Sequence, residues 1–290
     1  MRVAVIIPNL HSPVIDEVIT AVLRQADKTV DIWVVGQDRY GKIPSHSQVH
    51  TLVTLEPVYP GVARNLGAAQ TAADVLIFLD ADCVPQSGWL TALLAAWQAH
   101  AEAGAISGAM LPQSDSFIQH CGQIANFHEF LYLHPPAVRH ALASFSLLVP
   151  RTAWRDIGGF DPRLRHTEDI DFSLRLQARG WTLWFEPRAQ VYHRPGRVTM
   201  RQFWSYAQRG GSFSLQMRLN HSAVYAMPFW SRWPLAWCVG APFIAAVRTL
   251  QIYADTPGLW RYLYCLPWVF MHKLAWCYGA ADGVRLNYRT

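Results

Sequence analysis

The chain has 290 residues, of which 51% are hydrophobic, and it carries a formal net charge of +5. This length suffices for one large α/β domain plus an appendage, and the hydrophobic content excludes a disordered chain. The five cysteines form no Cys-x-x-Cys pair and are odd in number. They indicate neither a disulfide framework nor a structural zinc site, and they fit a reducing cytosol.

The charge is divided unevenly along the chain. Residues 1–196 carry 15 Lys or Arg against 18 Asp or Glu, whereas residues 197–290 carry 10 against 2. Six of the 13 tryptophans also lie between residues 230 and 276. A basic region of this kind suggests contact with nucleic acid or a membrane surface, and the interfacial preference of tryptophan favours the membrane.

The first part of the chain predicts alternating strands and helices. The apolar run Val3–Ile7 is too short for a signal peptide, is ended by Pro8 and predicts the first strand. Ser12, followed by Pro and two acids, predicts a helix start. Further strands are predicted over Val30–Val35 and Val49–Leu55, and farther along the chain a helix that Pro85 opens and Gly104 ends. This alternation predicts an α/β fold with a mostly parallel sheet flanked by helices.

The strongest functional signal follows a fourth predicted strand. The run Val75–Leu79 predicts a strand buried on both faces, and Asp80 and Asp82 come directly after it. Ligands bind outside the carboxyl ends of strands in open α/β sheets. Mg²⁺ is commonly held there by one or two carboxylates together with substrate phosphates. The pattern indicates a metal–diphosphate site, and an Asp-rich turn is the alternative for the Asp-x-Asp pair alone.

The neighbouring residues make this signal more specific. With Ala63-Arg64-Asn65-Leu66-Gly67 before it and Cys83-Val84-Pro85 after it, the stretch resembles glycosyltransferase family 2. That family consists of inverting transferases of the GT-A fold, which is Rossmann-like, with nucleotide-sugar donors. A second stretch, Ser144–Pro195, is similar to the acceptor half of the family, through Gly158-Gly159-Phe160-Asp161, Glu168-Asp169-Ile170-Asp171, Arg175, Gly180 and His193. The resemblance covers about residues 1–210.

The resemblance implies a set of donor contacts: Pro8, Asp38, Arg64, Asp80 and Ser107. Asp38 stands where family members commonly have Asp-Asp-Gly-Ser, here replaced by Gly36-Gln37-Asp38, and a turn Asp is the alternative. Arg64 would face the nucleotide, against the alternative of a surface Arg in an ion pair. Ser107 would lie under the donor sugar, against the alternative of a plain small-residue strand.

The resemblance also implies the metal and the base. Asp82, helped by Asp80 and by His193, would hold Mn²⁺ or Mg²⁺, and a structural His is the alternative for His193. Asp169 would be the general base, a role that typically contributes about 10²–10⁴-fold. Glu168 and Asp171 would lie on the acceptor side.

The helix that carries these acids has its own sequence signals. Thr167 is its expected cap and Gly180 its C-terminal stop. Ile170, Leu174 and Ala178 form an apolar stripe on this helix. We therefore expect Glu168 and Asp169 to point away from its buried face. An acidic helix start that serves only as capping is the alternative.

The basic C-terminal region predicts helices. A capping box at Thr199 starts a helix that is expected to end near Gly210-Gly211. Gln208-Arg209-Gly210-Gly211 does not match the Gln-x-x-Arg-Trp motif of processive family members, which favours addition of a single sugar. Arg194, Arg197 and Arg201 are candidates to close on the diphosphate, with solvated charge as the alternative.

Two apolar segments follow, Trp233–Val247 and Leu259–Gly279. The first is short and the second contains Arg, His and Lys, so neither meets the requirement of about 20 mostly apolar residues for a membrane-spanning helix. They predict interfacial helices, or a hairpin that covers the catalytic domain. The expected location is the cytoplasm, at the cytoplasmic face of a membrane.

These observations predict a GT-A catalytic domain over residues 1–210, with a nucleotide-sugar half (1–110) and an acceptor half (111–210), and a helical region over 211–290. The expected function is metal-assisted, inverting transfer of one sugar, of the hexosyltransferase type, from a nucleotide-diphospho-sugar to a glycan or lipid-linked acceptor. One alternative is a non-catalytic nucleotide-sugar-binding protein at a membrane. Another is a sugar-phosphate nucleotidyltransferase, which requires a Gly-rich basic signature where Pro8-Asn9-Leu10-His11 stands.

Overall fold

A computed structural model describes residues 1–112, 114, 116–194, 196, 199–222 and 224–287. The chain divides into two compact units. Unit 1 consists of Met1–Leu111 and His134–Arg194, and unit 2 consists of Pro112–Leu133 and the described residues after Arg194. This division differs from the predicted boundary at residue 210, because the segment 112–133 and the helix that begins at Met200 both pack with the C-terminal helices.

Unit 1 is built on one mixed sheet. Its strands are β1 (Val3–Leu10), β2 (Val30–Gln37), β3 (Val49–Val53), β4 (Val75–Leu79), β5 (Cys83–Pro85), β6 (Ala103–Leu111), β7 (Ala137–Val138), β8 (Ser146–Pro150) and β9 (Thr182–His193). The order across the sheet is β3-β2-β1-β4-β8-β6-β9-β5, and β7 pairs with β9. Strands β3, β2, β1 and β4 are parallel to one another, as are β6 and β9, whereas β8 runs antiparallel to both of its neighbours.

The predicted α/β architecture is confirmed. Helices α1 (Ile15–Leu23), α2 (Pro60–Ala69), α3 (Trp89–Ala99), α5 (Arg151–Ile157) and α6 (Glu168–Ala178) accompany the sheet, and α4 (Phe117–Phe127) belongs to unit 2. All five residues of β4 are buried, as a strand covered on both faces requires. Helix α2 approaches the sheet closely at Gly67, where a Cβ atom would lie only 2.6 Å from Ile6.

Three local predictions differ from the structure. Ser12 does not cap α1, because its hydroxyl donates to the Ala81 carbonyl at 2.6 Å, and α1 begins at Ile15. Pro85 ends the short strand β5 instead of opening a helix, and α3 begins after Gly88. Gly104 lies inside β6, where its lack of a side chain makes room for Trp181.

Unit 2 is helical in its described residues. Besides α4 it contains α7 (Met200–Asn220), α8 (Pro234–Asp255), α9 (Leu266–Asn287) and a 3₁₀ segment, Pro257–Cys265. The capping box predicted at Thr199 is present. Helix α7 continues ten residues beyond Gly210, so the predicted stop is wrong. The glycines serve another purpose there, because a Cβ atom on Gly211 would overlap the Trp276 carbonyl of α9.

Helix α8 is longer than the apolar segment predicted from the sequence. It runs to Asp255 and has 22 residues, so the length argument against a membrane-spanning helix no longer applies. By length and composition α8 is, within the described residues, the one helix that could cross a bilayer. Its inner face, with Trp237 and Ala241, packs with residues of α7 and α9 in one apolar cluster.

Candidate functional site

The candidate active site lies in unit 1, at the edge where the parallel strands end. Asp80 directly follows β4 and Asp38 directly follows β2. A cleft of about 300 Å³ opens beside the ends of β1, β2 and β3 and is lined by residues that include Asn9, His11, Gly36, Gln37, Asp38 and Arg39. Its position agrees with the rule that ligands bind at the carboxyl ends of strands in such sheets.

The cleft is shaped by tight contacts between β1 and β2. Asn9 is buried, donates to the Gln37 carbonyl at 2.9 Å and accepts from the Ser12 N–H at 3.0 Å. Gly36 has φ +129°, and a side chain there would collide with the Asn9 carbonyl. Pro8 is partly buried near the end of β1, beside Val35. These contacts hold the rim of the cleft in one conformation.

Asp38 organises the loop after β2. Its carboxylate accepts the backbone N–H groups of Tyr40 at 3.1 Å, Lys42 at 2.7 Å and Ile43 at 3.1 Å. The side chain of Gln37 is likewise engaged, donating to the Thr54 carbonyl at 3.1 Å. Asp38 therefore has the bonds expected of a turn residue and also lines the cleft, and its contact with a donor remains a prediction.

Asp82, Cys83 and His193 form a cluster whose ligand atoms all lie within 4.8 Å of one another. The antiparallel pairing of β5 with β9 places Cys83 opposite His193. Asp82 Oδ2 and His193 Nε2 are 3.4 Å apart. Ligand atoms at 2.0–2.1 Å from one octahedral cation lie roughly 3 Å from each other. The carboxylate and imidazole therefore fit one divalent metal ion.

The Cys83 thiol is a poor ligand in this cluster. Burial raises its pKa well above the ordinary value, and the charges of Asp82 and Asp80 raise it further. A thiol that stays protonated does not bind metal well. Burial, followed by the charge of Asp82, also raises the pKa of Asp80, although Arg64 opposes both effects. A cation beside the two carboxylates would relieve this repulsion.

Arg64 joins the two halves of unit 1 at the site. Its guanidinium donates to Asp80 Oδ1 and to Glu168 Oε1, each at 2.7 Å, and the residue is only 2% exposed. Burial alone would lower the pKa of Arg64, but the two carboxylates outweigh burial and raise it. The structure thus engages Arg64 in an ion pair, as in the alternative considered above, but the arginine is buried and not on the surface, which leaves it little area for a nucleotide.

Asp169, the predicted base, directly follows this ion pair in the chain. Its Oδ1 accepts the Ile170 N–H at 2.9 Å and its Oδ2 accepts the Ser144 N–H at 3.4 Å. Burial and the charge of Glu168 raise its pKa to about 7, against the opposing effects of Arg64 and the two N–H groups. The residue as a whole is only partly buried. A carboxyl of this pKa can accept a proton near neutral pH.

The other two acids of this helix have structural partners. Glu168 is bound to Arg64, as described. Asp171 Oδ2 accepts from Arg175 Nε at 2.8 Å, and Arg175 also donates to the Ile157 carbonyl. Both acids are buried. Asp169 is therefore the most accessible of the three, although the sequence places all of them in one turn.

Ser107 is not brought to the surface of the site. It is completely buried in β6, and its hydroxyl donates to the Gly108 carbonyl at 3.1 Å. The contact with a donor sugar predicted for Ser107 has no exposed surface in this structure, where the Ser107 hydroxyl also lies 3.4 Å from the Ala143 carbonyl. Ser146, also completely buried, accepts from Trp89 Nε1 at 2.8 Å.

Two residues other than glycine have positive φ in the described chain, and both border the site. His11 has φ +57° at the cleft, and Thr167 has φ +62° directly before Glu168. This conformation is costly for a β-branched residue such as Thr. Thr167 occupies the predicted cap position without making a side-chain capping bond. The strain lies where the acids are positioned.

The structure describes two of the three arginines considered for the diphosphate. The Arg194 side chain pairs with Glu17, and the Arg194 backbone N–H donates to the Asp82 carbonyl at 2.7 Å. Arg201 is exposed on the first turn of α7. Arg197 lies outside the described residues.

Sequence reasoning missed the pairing of Arg64 with Glu168, the place of Cys83 in the cluster, and the N–H of Ser144 on Asp169. Arg64 and Glu168 are 104 positions apart, and Ser144 and Asp169 are 25 apart. No local pattern signals such a pairing, since both depend on which strands become neighbours.

Known structures share this fold. The chain superposes on the mannosyltransferase PcManGT from Pyrobaculum calidifontis, solved in complex with GDP-Man and Mn²⁺, with a TM-score of 0.67 at 17% identity, covering 99% of this chain and 87% of that one. GalNAc-T7, solved with UDP, GalNAc and Mn²⁺, gives a TM-score of 0.53 at 15% identity, over 71% of this chain and 48% of the other. The fold is therefore the expected GT-A fold.

Relatives in sequence are glycosyltransferases of Mycobacterium tuberculosis. The pre-mycofactocin glycosyltransferase is 30% identical over 161 residues, which cover 52% of this chain and 33% of that protein. An N-acetylglucosaminyl-diphospho-decaprenol L-rhamnosyltransferase is 35% identical over 98 residues, or 33% of this chain and 30% of that protein. The matched part thus spans about a third of these relatives. The family model described as glycosyltransferase like family 2 matches residues 1–211, and the chain belongs to that family.

Proposed function

We propose that this protein transfers a single sugar from a nucleotide-diphospho-sugar to an acceptor hydroxyl with inversion at the anomeric carbon, with Asp169 as the general base. The observation that carries the proposal is the Arg64 bridge. It bonds Asp80, at the proposed diphosphate site, and Glu168, the neighbour of Asp169, through one guanidinium. A single buried guanidinium would therefore fix the separation between the diphosphate site at Asp80 and the general base Asp169.

The residues of the chain would divide the work. The cleft beside Gly36 and Asp38 would bind the nucleobase and ribose of the donor, because it lies at the strand ends and is lined by polar groups. Asp169 would accept the proton of the acceptor hydroxyl as that oxygen attacks the sugar. Glu168 and Asp171 would position Asp169 through their own ion pairs.

The metal proposed for this site is Mn²⁺ or Mg²⁺, held by Asp82 and His193 with Asp80 beside them. A mixed carboxylate and imidazole set suits Mn²⁺ better than Mg²⁺, which prefers oxygen ligands. Both structural neighbours described above were solved with Mn²⁺. When bound, the ion would neutralise charge on the leaving diphosphate.

A binding experiment with the full chain tests donor and metal together. Thermal unfolding is measured with a panel of nucleotide sugars, in Mn²⁺ and in chelator. A true donor at 100 times its Kd stabilises the protein by about 2.7 kcal/mol. We expect stabilisation by at least one donor in Mn²⁺, its loss in chelator, and its loss in Asp82→Asn but not in the surface variant Asp31→Asn. Stabilisation that is unchanged in chelator would refute the metal site.

Release of sugar from that donor separates an enzyme from a non-catalytic binding protein. The transferase releases sugar slowly to water, whereas the alternative binds the donor and leaves it intact. The nucleotidyltransferase alternative predicts nucleotide triphosphate as a substrate, which the same panel can include.

We also propose that unit 2 contacts a membrane surface and that the acceptor is a glycan or a lipid-linked sugar. The support is the outer face of α8, where Leu235, Val239 and Phe243 are 72%, 73% and 75% exposed at a spacing of four residues. Exposed apolar patches of this kind mark interaction sites. The surplus of basic residues after residue 196 would attract anionic lipid.

We favour an α8 that lies on the membrane surface over an α8 that crosses the bilayer. The inner face of α8 packs against α9, which carries Lys273, Asp282 and Arg285. If α8 crossed the bilayer with its partner, these charges would enter the hydrocarbon, at a cost of several kcal/mol. A helix that lies in the interface buries its apolar face and leaves them in water.

A further inference from the structure

Unit 2 contains two cysteines in direct contact. Cys121 lies on α4, and Cys265 ends the 3₁₀ segment Pro257–Cys265. Both side chains are completely buried, and Cys121 Sγ donates to Cys265 Sγ at 2.6 Å. Unbonded thiols normally pack farther apart, and the separation is within roughly 0.6 Å of the 2.03–2.05 Å of an S–S bond. The two sulfurs are thus already positioned for bond formation.

The two thiols differ in their ionisation. The bond from Cys121 lowers the pKa of Cys265 to about 6, with His120 adding to the effect and burial opposing it. The same contact and burial raise the pKa of Cys121. His120 also bonds to Tyr264 at 3.2 Å, which orients its ring beside this pair. The contact therefore favours the thiolate form of Cys265, and the thiolate is the reactive form of cysteine.

Cys83 and Cys277 lack such features. Burial raises the pKa of Cys277 to about 11, and the pKa of Cys83 is also raised, as described. Reversible oxidation is favoured where a thiolate lies next to a second thiol that can resolve it. Among the described cysteines, Cys121 and Cys265 meet this condition.

We propose that Cys121 and Cys265 form a reversible disulfide, made by a hydroperoxide, that joins the segment 112–133 to the C-terminal helices of unit 2. The pair is completely buried, so the hydroperoxide reaches it when this part of unit 2 opens locally. The Cys265 thiolate then attacks one oxygen of the hydroperoxide, the O–O bond breaks, and sulfenic acid forms as the other oxygen leaves and takes a proton. The Cys121 thiol then attacks the sulfur of Cys265, the S–O bond breaks, and water leaves. Two thiols are oxidised by two electrons, and one hydroperoxide is reduced.

The bond would close a long loop and so restrict the unfolded chain. The two cysteines are 144 positions apart, and the entropic effect of a disulfide grows with loop length. We expect the oxidised protein to melt several degrees above the reduced protein. In a reducing cytosol, thiol exchange would return the pair to thiols.

The test uses the full chain, treated with one equivalent of hydrogen peroxide and then digested without reductant. The expected product is a cross-linked peptide pair that contains Cys121 and Cys265, an intact mass lower by two hydrogen atoms, and reversal by dithiothreitol. The matched control Cys277→Ser should form the same bond. Cys121→Ser should instead accumulate sulfenic acid at Cys265, which a dimedone probe labels.

Two outcomes would overturn the proposal. One is five titratable thiols in the denatured protein after peroxide treatment. The other is cross-linking through Cys83, Cys238 or Cys277 in place of the proposed pair. Both measurements use the unsubstituted chain, so they hold even if Cys121→Ser fails to fold. Neither depends on sugar transfer.

Discussion

A single buried arginine connects the carboxylates of the candidate site. Arg64 pairs with Asp80 and Glu168, and its guanidinium also lies 5.4 Å from the ring of Phe160. Its planar fork of donors suits two carboxylates at once, which a Lys ammonium could not match in geometry. Asn65, the next residue, fixes the same region by exchanging hydrogen bonds with the backbone of Phe160 at 2.8 and 2.9 Å.

The base can be tested by removing its charge and keeping its shape. Asp169→Asn should lower the rate of transfer by about 10²-fold or more, because a positioned base contributes that much. Donor affinity, measured by calorimetry in Mn²⁺, should be unchanged. Asp171→Asn is the matched variant and should retain more activity. If it loses activity and Asp169→Asn does not, the base has been misassigned.

The pKa of Asp169 predicts a pH dependence. Because the base must be ionised and its pKa is raised to about 7, kcat/KM should rise with pH and level off above neutrality. Stability should change in the opposite direction. A raised carboxyl pKa favours the protonated folded state, so stability is lost as pH rises from about 4 through 7. The melting temperature of Asp169→Asn should exceed that of the natural chain by more at pH 8 than at pH 4, and an equal difference at both would contradict it.

Removing Arg64 should destabilise the fold. Arg64→Met leaves Glu168 and Asp80 without their partner, and breaking a buried ion pair from one side costs about 3–5 kcal/mol. Urea unfolding monitored by tryptophan fluorescence gives the value. The control is Arg179→Met, whose guanidinium is 61% exposed and pairs with the partly exposed Asp156, so that a loss of at most about 1 kcal/mol is expected. Similar losses for the two variants would show that the Arg64 bridge adds nothing.

At the scale of elements, the two adjacent glycines of α7 have different roles. A side chain on Gly211 would overlap the Trp276 carbonyl, whereas on Gly210 the nearest atom would be 3.9 Å away. On α9, Gly279 and Gly283 similarly face the backbone of Gln208 and Ser212. The glycines let the two helices approach backbone to backbone, and the propensity of glycine to end helices is overridden there.

This difference gives a matched pair of substitutions. Gly211→Ala should lower the free energy of unfolding by about 1–3 kcal/mol, because an overpacked contact forces the helices apart. Gly210→Ala should raise it by up to about 1 kcal/mol, because alanine is the better helix former and has room. Chemical denaturation of both variants measures the effect. A destabilised Gly210→Ala would mean that helix propensity does not decide this position.

At the scale of the whole molecule, the outer face of α8 is an apolar surface that no other described residues bury. The pair Val239→Ser and Phe243→Ser removes two of its most exposed apolar side chains. We expect the natural chain to float with anionic vesicles and the double variant to remain in the soluble fraction. High salt should release the natural chain, because electrostatic attraction decays within a Debye length.

The control is a pair of apolar residues that are equally exposed in unit 1. Val53 and Leu55 are 71% and 97% exposed, and replacing both by Ser should leave vesicle binding unchanged. Retention of the natural chain through both high salt and alkaline wash would indicate a helix inserted across the bilayer. If no vesicle binding is observed, the membrane proposal is wrong and the exposed face of α8 is instead a candidate surface for binding another protein.

Much of unit 1 was predictable from local sequence. The apolar run of β4 and the acids behind it predict both a buried strand and the place of a site, because period and turn chemistry are local properties. The helix over α6 was predicted from its acids and from Gly180, which has the expected positive φ of +86°. The local sequence is also enough to place Asp169 on that helix and Thr167 at the cap position before it.

What the tertiary structure decided is which distant residues meet and which are covered. Strand β8 inserts antiparallel between β4 and β6, Ser107 of β6 is completely buried, and the pairing of β5 with β9 brings His193 to Asp82. The continuation of α7 through Gly210-Gly211, and the contact of Cys121 with Cys265, likewise depend on helices that are far apart in the chain. Local propensity cannot specify these long-range contacts. The propensity of each residue is a small preference, which packing and long-range pairing outweigh.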